Sequence, residues 1–133
     1  ASSASTAGAQ TQEAAPEEQD APAIDFARLE KILEGDSALF QEIMSMFLSD
    51  TTARMEALRN AASVGDLAEV MRLAHSMRGA SGNVGAMKLA ADAEALENNA
   101  KAGNLDESAI AHSHLESEFK RVRRALEGRI GIR

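Results

Sequence analysis

The sequence predicts an all-α protein, an antiparallel four-helix bundle with a short extra N-terminal helix. No proline occurs from residue 23 to the end, and the single glycines in this stretch are spaced at intervals that suit helix ends. Apolar residues recur there at spacings of three and four, as on one face of a helix. Trp and Tyr are absent and Phe occurs only four times, so we expect an aliphatic core rich in Ala and Met.

The first 23 residues differ in composition from the rest of the chain. They are rich in Ala, Ser, Thr and Gln, lack apolar periodicity, and contain no Lys or Arg but four acidic residues, Glu13, Glu17, Glu18 and Asp20. Subtracting these four charges from the net charge of −7 leaves −3 for the remainder. Such a segment buries too little apolar surface to offset the entropy of ordering. We therefore predict a disordered acidic tail or linker over residues 1–23 and a helical-bundle domain over residues 24–130.

The start of the domain predicts the short first helix. Asp25 is a suitable N-cap, and Ile24 before it can pack on Leu29 one turn later as a hydrophobic staple. We expect this helix to end near Gly35.

A second, long helix is expected from an N-cap at Asp36 to about Ser63. Its apolar stripe is predicted to comprise Leu39, Phe40, Ile43, Met46, Phe47, Leu58 and Ala61. Met44, Met46 and Met55 are interpreted as packing residues rather than ligands.

Three further helices are predicted between the remaining single glycines. Asp66 and Glu69 predict a capping-box start for a third helix, from 67 to about 83. A fourth is expected over 86–102 and a fifth after Asn104. Their predicted core residues are Leu89, Ala93, Leu96 and Ala100 in the fourth helix, and Ile110, Leu115, Phe119, Val122 and Leu126 in the fifth.

Composition excludes several classes of function. The chain has no cysteine, which removes disulfides, cysteine-ligated metals and cysteine nucleophiles. The acidic pI near 4.9 and the lack of stacking aromatics argue against a nucleic-acid partner. No stretch has the length of a membrane span or the pattern of a signal peptide, so we expect a cytoplasmic domain. The chain begins with Ala, which fits either a processed start or a segment of a longer protein.

The third helix carries an unusual face. On a helical wheel His75 lies opposite Val70, Leu73 and Met77 and so points away from the core. Its face is shared by small, basic or adaptable residues, namely Ala68, Met71, Arg72, Arg78, Gly79 and Gly82. A glycine inside a helix costs about 0.8–1 kcal/mol relative to Ala, which a purely structural helix has no reason to carry. We interpret Gly79 and Gly82 as room for a partner, and an exposed Met71 as part of a docking surface.

This face suits phosphoryl chemistry, although an exposed histidine on a helix often has no function. A neutral imidazole is a competent nitrogen nucleophile towards phosphorus. Arg72 and Arg78 lie one turn to either side of His75 and can hold phosphoryl oxygens through charge-assisted hydrogen bonds. The wheel places no carboxylate on the face.

The run from Leu73 to Ala86, LAHSMRGASGNVGA, with Leu89, Leu96 and Glu97, resembles the signature of the histidine-containing phosphotransfer (HPt) domain family. That signature has a basic residue three positions after the histidine, a glycine four after it, a Gly-Ala at the next helix start and a Leu-Glu one helix later. The specific match covers residues 73–97, and the helix pattern agrees from about 24 to 128.

The resemblance implies a phosphoryl carrier rather than an enzyme. His75 would be the phospho-acceptor, exchanging a phosphoryl group with the aspartates of response-regulator receiver domains or of a hybrid histidine kinase. Arg78 stands where the family usually has Lys and would stabilise the phosphoryl charge, while Gly79 and Gly82 leave room for the receiver and Glu97 has no assigned chemistry. The family needs no nucleotide site or cofactor of its own, because the receiver supplies Mg²⁺.

Several alternatives remain open at the level of sequence. A helical adaptor that binds a receiver or kinase without phosphoryl transfer would have a similar pattern, but it would not need His75, Arg78 and both glycines together. The domain could be a free-standing carrier or the C-terminal module of a membrane-bound hybrid sensor kinase, and we expect a monomer. His112 and His114 do not share a helix face, so we interpret them as surface residues and predict no metal site.

Overall fold

A computed structural model describes residues 21–131, and within that range all regular secondary structure is α-helical. The helices are α1 (Phe26–Ile32), α2 (Ser37–Ser63), α3 (Leu67–Asn83), α4 (Met87–Lys101) and α5 (Leu105–Ile130). The four long helices are joined by connections of three residues. Helix α2 packs on α3 and α5, and α4 also packs on α3 and α5, so the helices close into an antiparallel bundle. The predicted fold class is confirmed.

Side-chain caps explain why most of the helices begin where they do. Asp25, Asp36, Asp66 and Asn104 each accept a hydrogen bond from the backbone N–H three residues later. The capping box predicted for α3 forms only in part. The Glu69 carboxylate turns to a neighbouring arginine on α3, and the N–H of Asp66 donates to a backbone carbonyl of α2 instead.

The turn between α3 and α4 depends on Gly85. Its φ of +81° lies in the left-handed region, and a Cβ there would lie 3.4 Å from the Cβ of Asp25. The backbone carbonyl of Gly85 accepts a hydrogen bond of 3.1 Å from the N–H of Asp25. The start of α1 is therefore fastened to this turn.

Helix α1 is also attached at the far end of α5. The guanidinium of Arg129 lies 4.9 Å from the ring centroid of Phe26 and 5.0 Å from that of Phe40, and it pairs with Glu30. Ile24 and Leu29 are both buried, as the staple predicts. Of the predicted tail, residues 1–20 lie outside the described residues. Ala21 to Ala23 are described, and Ala23 is buried against the bundle.

The core is aliphatic, as expected, but three predicted core residues are exposed. Met46 is 57% exposed, and Leu39 and Ile110 also face solvent. The buried stripe of α2 instead runs through Met44, Leu48, Thr51, Met55 and Leu58, and in α5 the buried neighbour of Ile110 is Ala111. Met46 lies about 200° round the helix from Met44, so only one of the two can face the core.

None of the helices in the described part of the chain has an apolar stretch long enough to span a bilayer.

Two methionines of α2 provide a matched test of the core. Met44 is fully buried and Met46 is largely exposed. We expect Met44→Ala to lower the free energy of unfolding by about 2–5 kcal/mol, because it leaves a cavity. Met46→Ala should change it by less than about 0.5 kcal/mol. Urea denaturation monitored by circular dichroism measures both values, and equal losses would contradict the assignment of the buried face.

Candidate functional site

His75 lies in the middle of α3 with its side chain outside the core. The side chain is 62% exposed, whereas its neighbours Leu73, Ala74 and Met77 are buried. The helical wheel therefore placed the imidazole on the correct side. Its position leaves the ring open to a partner while the helix that carries it is fixed by core packing.

A carboxylate from the next helix orients the His75 ring. Glu97 of α4 places Oε2 2.8 Å from Nδ1 of His75, and its own side chain is only 15% exposed. A carboxylate can only accept, so Nδ1 carries the proton and donates it to Glu97. The other ring nitrogen, Nε2, then holds a lone pair. For a neutral ring the geometry thus selects the Nδ1–H tautomer and leaves the lone pair on Nε2.

Arg78 lies against the same pair of residues. Its Nη2 is 3.4 Å from Nδ1 of His75, its Nε is 3.7 Å from Oε1 of Glu97, and its Nη1 is 3.7 Å from Oε2 of Glu94. Nδ1 of His75 donates to Glu97, so it cannot also accept from the Arg78 guanidinium. Both groups are donors, and both lie beside the Glu97 carboxylate. Arg78 therefore lies beside the ring, and its contacts with Glu94 and Glu97 are both long, at 3.7 Å.

The prediction that no carboxylate reaches the His75 face was wrong. Glu97 and Glu94 come from α4, which a wheel of α3 alone cannot show. On α3 itself, Glu69 accepts from Arg72 in a two-pronged pair whose Nε–Oε1 distance is 2.9 Å. Hydrogen bonding to Arg72 lowers the pKa of Glu69, and the same bond raises the pKa of Arg72. The side chain of Arg72 is therefore occupied by Glu69 in this structure.

The glycines of the face have no structural cause within the domain. A Cβ added at Gly79 or at Gly82 would meet nothing within 4 Å, and both lie inside α3 without left-handed backbone. Neither packing nor φ within the described domain requires glycine there. Met71 differs from the expectation: it is half-buried against the core rather than exposed.

The two histidines of α5, His112 and His114, differ in their exposure to solvent. His112 is largely buried, with Nε2 3.3 Å from Oε2 of Glu116, so its interpretation as a surface residue was wrong. His114 is exposed. Within residues 21–131 no group of three His, Cys, Asp or Glu side chains is arranged to hold a metal ion.

The fold and the site define a helical bundle that carries on α3 an exposed histidine, His75, oriented by the Glu97 carboxylate on a face that also holds two glycines. The model of the Hpt domain family matches residues 42–125, and the chain belongs to that family. Among solved structures, it is similar to histidine-containing phosphotransfer protein B (HptB) from Pseudomonas aeruginosa PAO1. The TM-score is 0.77 with 28% sequence identity, over 84% of this chain and 97% of HptB. A search of curated proteins finds no significant match.

Glu97 is the site residue to which the sequence analysis assigned no role. It lies 22 positions after His75 on another helix, so helix periodicity does not relate the two. The available signal was the Leu96-Glu97 pair in the family signature, since Leu96 is buried and its neighbour must then point towards the edge of the helix pair.

The orientation of His75 by Glu97 can be tested directly. We expect Glu97→Ala to remove the acceptor of Nδ1–H, so that the Nδ1–H tautomer no longer dominates. The ¹⁵N chemical shifts of the His75 ring, recorded above the pH at which imidazole protonates, report the tautomer. Glu94→Ala is the control, because Glu94 contacts Arg78 and not the ring. Identical ring shifts in wild type and Glu97→Ala would contradict the assigned tautomer.

Proposed function

We propose that this Hpt domain is a phosphorelay intermediate in which His75 accepts a phosphoryl group from a receiver-domain aspartate and passes it to another receiver. Membership of the Hpt family and the likeness to HptB support a histidine phosphotransfer role in two-component signalling. The observation that carries the assignment to His75 is the pairing of its Nδ1 with Glu97 on a side chain that is 62% exposed, because in the neutral ring this pairing leaves the lone pair on Nε2.

The transfer step follows from that tautomer. The Nε2 lone pair attacks the phosphorus of the receiver's aspartyl phosphate in line with the bond to the aspartate oxygen. The N–P bond forms as the P–O bond breaks, and the aspartate leaves as a carboxylate. No proton has to move, because Nδ1 keeps its own. The ring thereby gains positive charge, which the Glu97 carboxylate at 2.8 Å offsets. Glu97 acts as a positioning residue.

Arg78 is the residue best placed to meet the phosphoryl group. Its guanidinium lies within 3.4 Å of the His75 ring, so its N–H groups can turn from Glu94 to the phosphoryl oxygens. A forked guanidinium offers two parallel donors where a lysine would offer a point charge. We place Arg72 and Met71 at the rim of the receiver contact. Arg72 is paired with Glu69, and Met71 is half-buried.

The partners follow from the same chemistry. We propose that a response-regulator receiver or a hybrid histidine kinase docks over Gly79 and Gly82 and supplies Mg²⁺ with its acidic pocket, while this domain acts as a monomer on the cytoplasmic side. The domain would serve as a carrier without an ATP site of its own, either free-standing or as the C-terminal module of a sensor kinase.

The assignment of His75 as the phospho-acceptor can be tested by transfer of a labelled phosphoryl group. We expect His75→Gln to abolish transfer from a radiolabelled phosphorylated receiver in the presence of Mg²⁺, and wild type to acquire acid-labile, alkali-stable label. Helicity should be unchanged, because the side chain lies outside the core. His114→Gln, at an exposed histidine of α5, is the control and should accept label normally. Label on the folded His75→Gln variant would refute the assignment. A wild type that binds receivers without accepting label would favour the adaptor.

A substitution at Gly79 separates an effect on receiver docking from an effect on folding. Gly79→Leu should stabilise the helix by about 0.5–1 kcal/mol, because Leu has the higher helix propensity and a Cβ there meets nothing. The same change should slow transfer at least about tenfold, since the side chain would stand where the receiver must approach. Gly128→Leu is the matched control, a helical glycine of α5 that is equally open. Normal transfer by Gly79→Leu would contradict the access argument.

A further inference from the structure

A small cavity lies at one end of the bundle, beside the turns that join α2 to α3 and α4 to α5. Its volume is about 150 Å³, and all four long helices contribute residues to its wall. The apolar residues that line it are Ala62, Leu67, Val70, Leu96, Leu105 and Ala109. Val70 and Leu96 are buried, whereas Leu105 is 61% exposed. The cavity therefore extends from the core to the surface, where a molecule in solution can enter.

Two polar residues of α5, Ser108 and His112, also line the cavity. They are four positions apart, so they are neighbours on one face of the helix. Within residues 21–131 neither the hydroxyl of Ser108 nor Nε2 of His112 has a hydrogen-bond partner, although both atoms are enclosed. Enclosed polar atoms in proteins usually have a partner, because burial deprives them of water. The cavity wall thus contains two residues with unmet hydrogen-bonding atoms.

The protein groups next to these two atoms do not satisfy them. The Asn104 carbonyl, one turn before Ser108, accepts a hydrogen bond of 3.0 Å from the backbone N–H of Ser108 and none from its hydroxyl. The Glu116 carboxylate accepts two hydrogen bonds from Arg59, at 2.8 and 3.2 Å. Its Oε2 lies 3.3 Å from Nε2 of His112, but no hydrogen bond joins them. Ser108 in particular remains free to bond with a molecule in the cavity.

The size and lining of the cavity limit the class of ligand. A cavity of about 150 Å³ with an aliphatic lining holds a molecule of the size of benzene. Among the lining residues in the described chain none is Asp, Glu, Lys or Arg, so nothing there would compensate the burial of an ion. The Ser108 hydroxyl can both donate and accept, and a hydroxyl on the ligand matches it in either role. A hydrocarbon would leave it unpaired.

We propose that this cavity binds a neutral single-ring molecule that carries a hydroxyl group, of which phenol is the simplest example. The ring would pack against Val70, Leu96 and Leu105, and its hydroxyl would form a hydrogen bond with Ser108. His75 is not among the lining residues, so the cavity is separate from the candidate phosphoryl site. The proposal does not rest on phosphoryl transfer.

Titration of the full chain with phenol tests the proposal. In ¹H–¹⁵N correlation spectra we expect saturable shift changes centred on the amides of the residues that line the cavity. The dissociation constant should lie in the millimolar range or below, as expected for a ligand of so few atoms. Shifts that do not saturate in that range, or that centre on another face of the bundle, would overturn the proposal.

A pair of serine variants tests the role of the hydrogen bond. Ser108→Ala removes an unpartnered hydroxyl, so the fold should be retained, but the affinity for phenol should fall at least about threefold. The affinity for benzene, titrated in the same way, should be unchanged or higher. Ser113→Ala, at an exposed serine of α5, is the matched control and should bind phenol as the wild type does. An undiminished affinity of Ser108→Ala for phenol, or an equal loss for phenol and benzene, would also overturn the proposal.

Discussion

The packing of α3 against α4 is the contact on which the rest of the structure depends. These helices make the most extensive interhelical contact in the described chain, and their buried faces include the small residues Ala74, Ala90 and Ala93. Small side chains allow two helices to approach closely. The close approach brings Glu97 to the edge of α3, where it meets His75. The core and the site are therefore consequences of one interface, although the reactive ring is outside the core.

Most of the fold could be predicted from local signals. Asp25, Asp36 and Asp66 each cap the helix expected of them, because capping depends on residues only three positions apart. The faces of the long helices were harder to predict. Met44 and Met46 are both apolar, and which of them is buried depends on how α2 is rotated against α3 and α5. That rotation is a property of the assembled bundle.

The candidate site could be predicted only in part, because, like the buried helix faces, part of it depends on how the helices assemble. His75, Gly79 and Gly82 share a face of one helix, so a wheel relates them correctly. The carboxylates that contact His75 and Arg78 come from α4, and a helical wheel of α3 contains no information about another helix. The Arg72 pair shows the converse case. Glu69 is three residues away and could have been recognised as a competitor for Arg72, but the capping-box interpretation assigned it to Asp66 instead.

The hydrogen bond between Asp25 and Gly85 has a mechanical consequence. Ala23 and Ile24 are buried directly before it, so the N-terminal end of the domain is bound to the turn between α3 and α4 rather than to α1 alone. A pulling force on the preceding chain would be borne first by the hydrogen bond from Nη1 of Arg121 to the backbone carbonyl of Ala21 and then by that of the Gly85 turn. The load would reach the bundle from its side, before any helix was stretched along its axis. A movement of the chain before Ala21 would therefore strain these two hydrogen bonds before it strained the long helices.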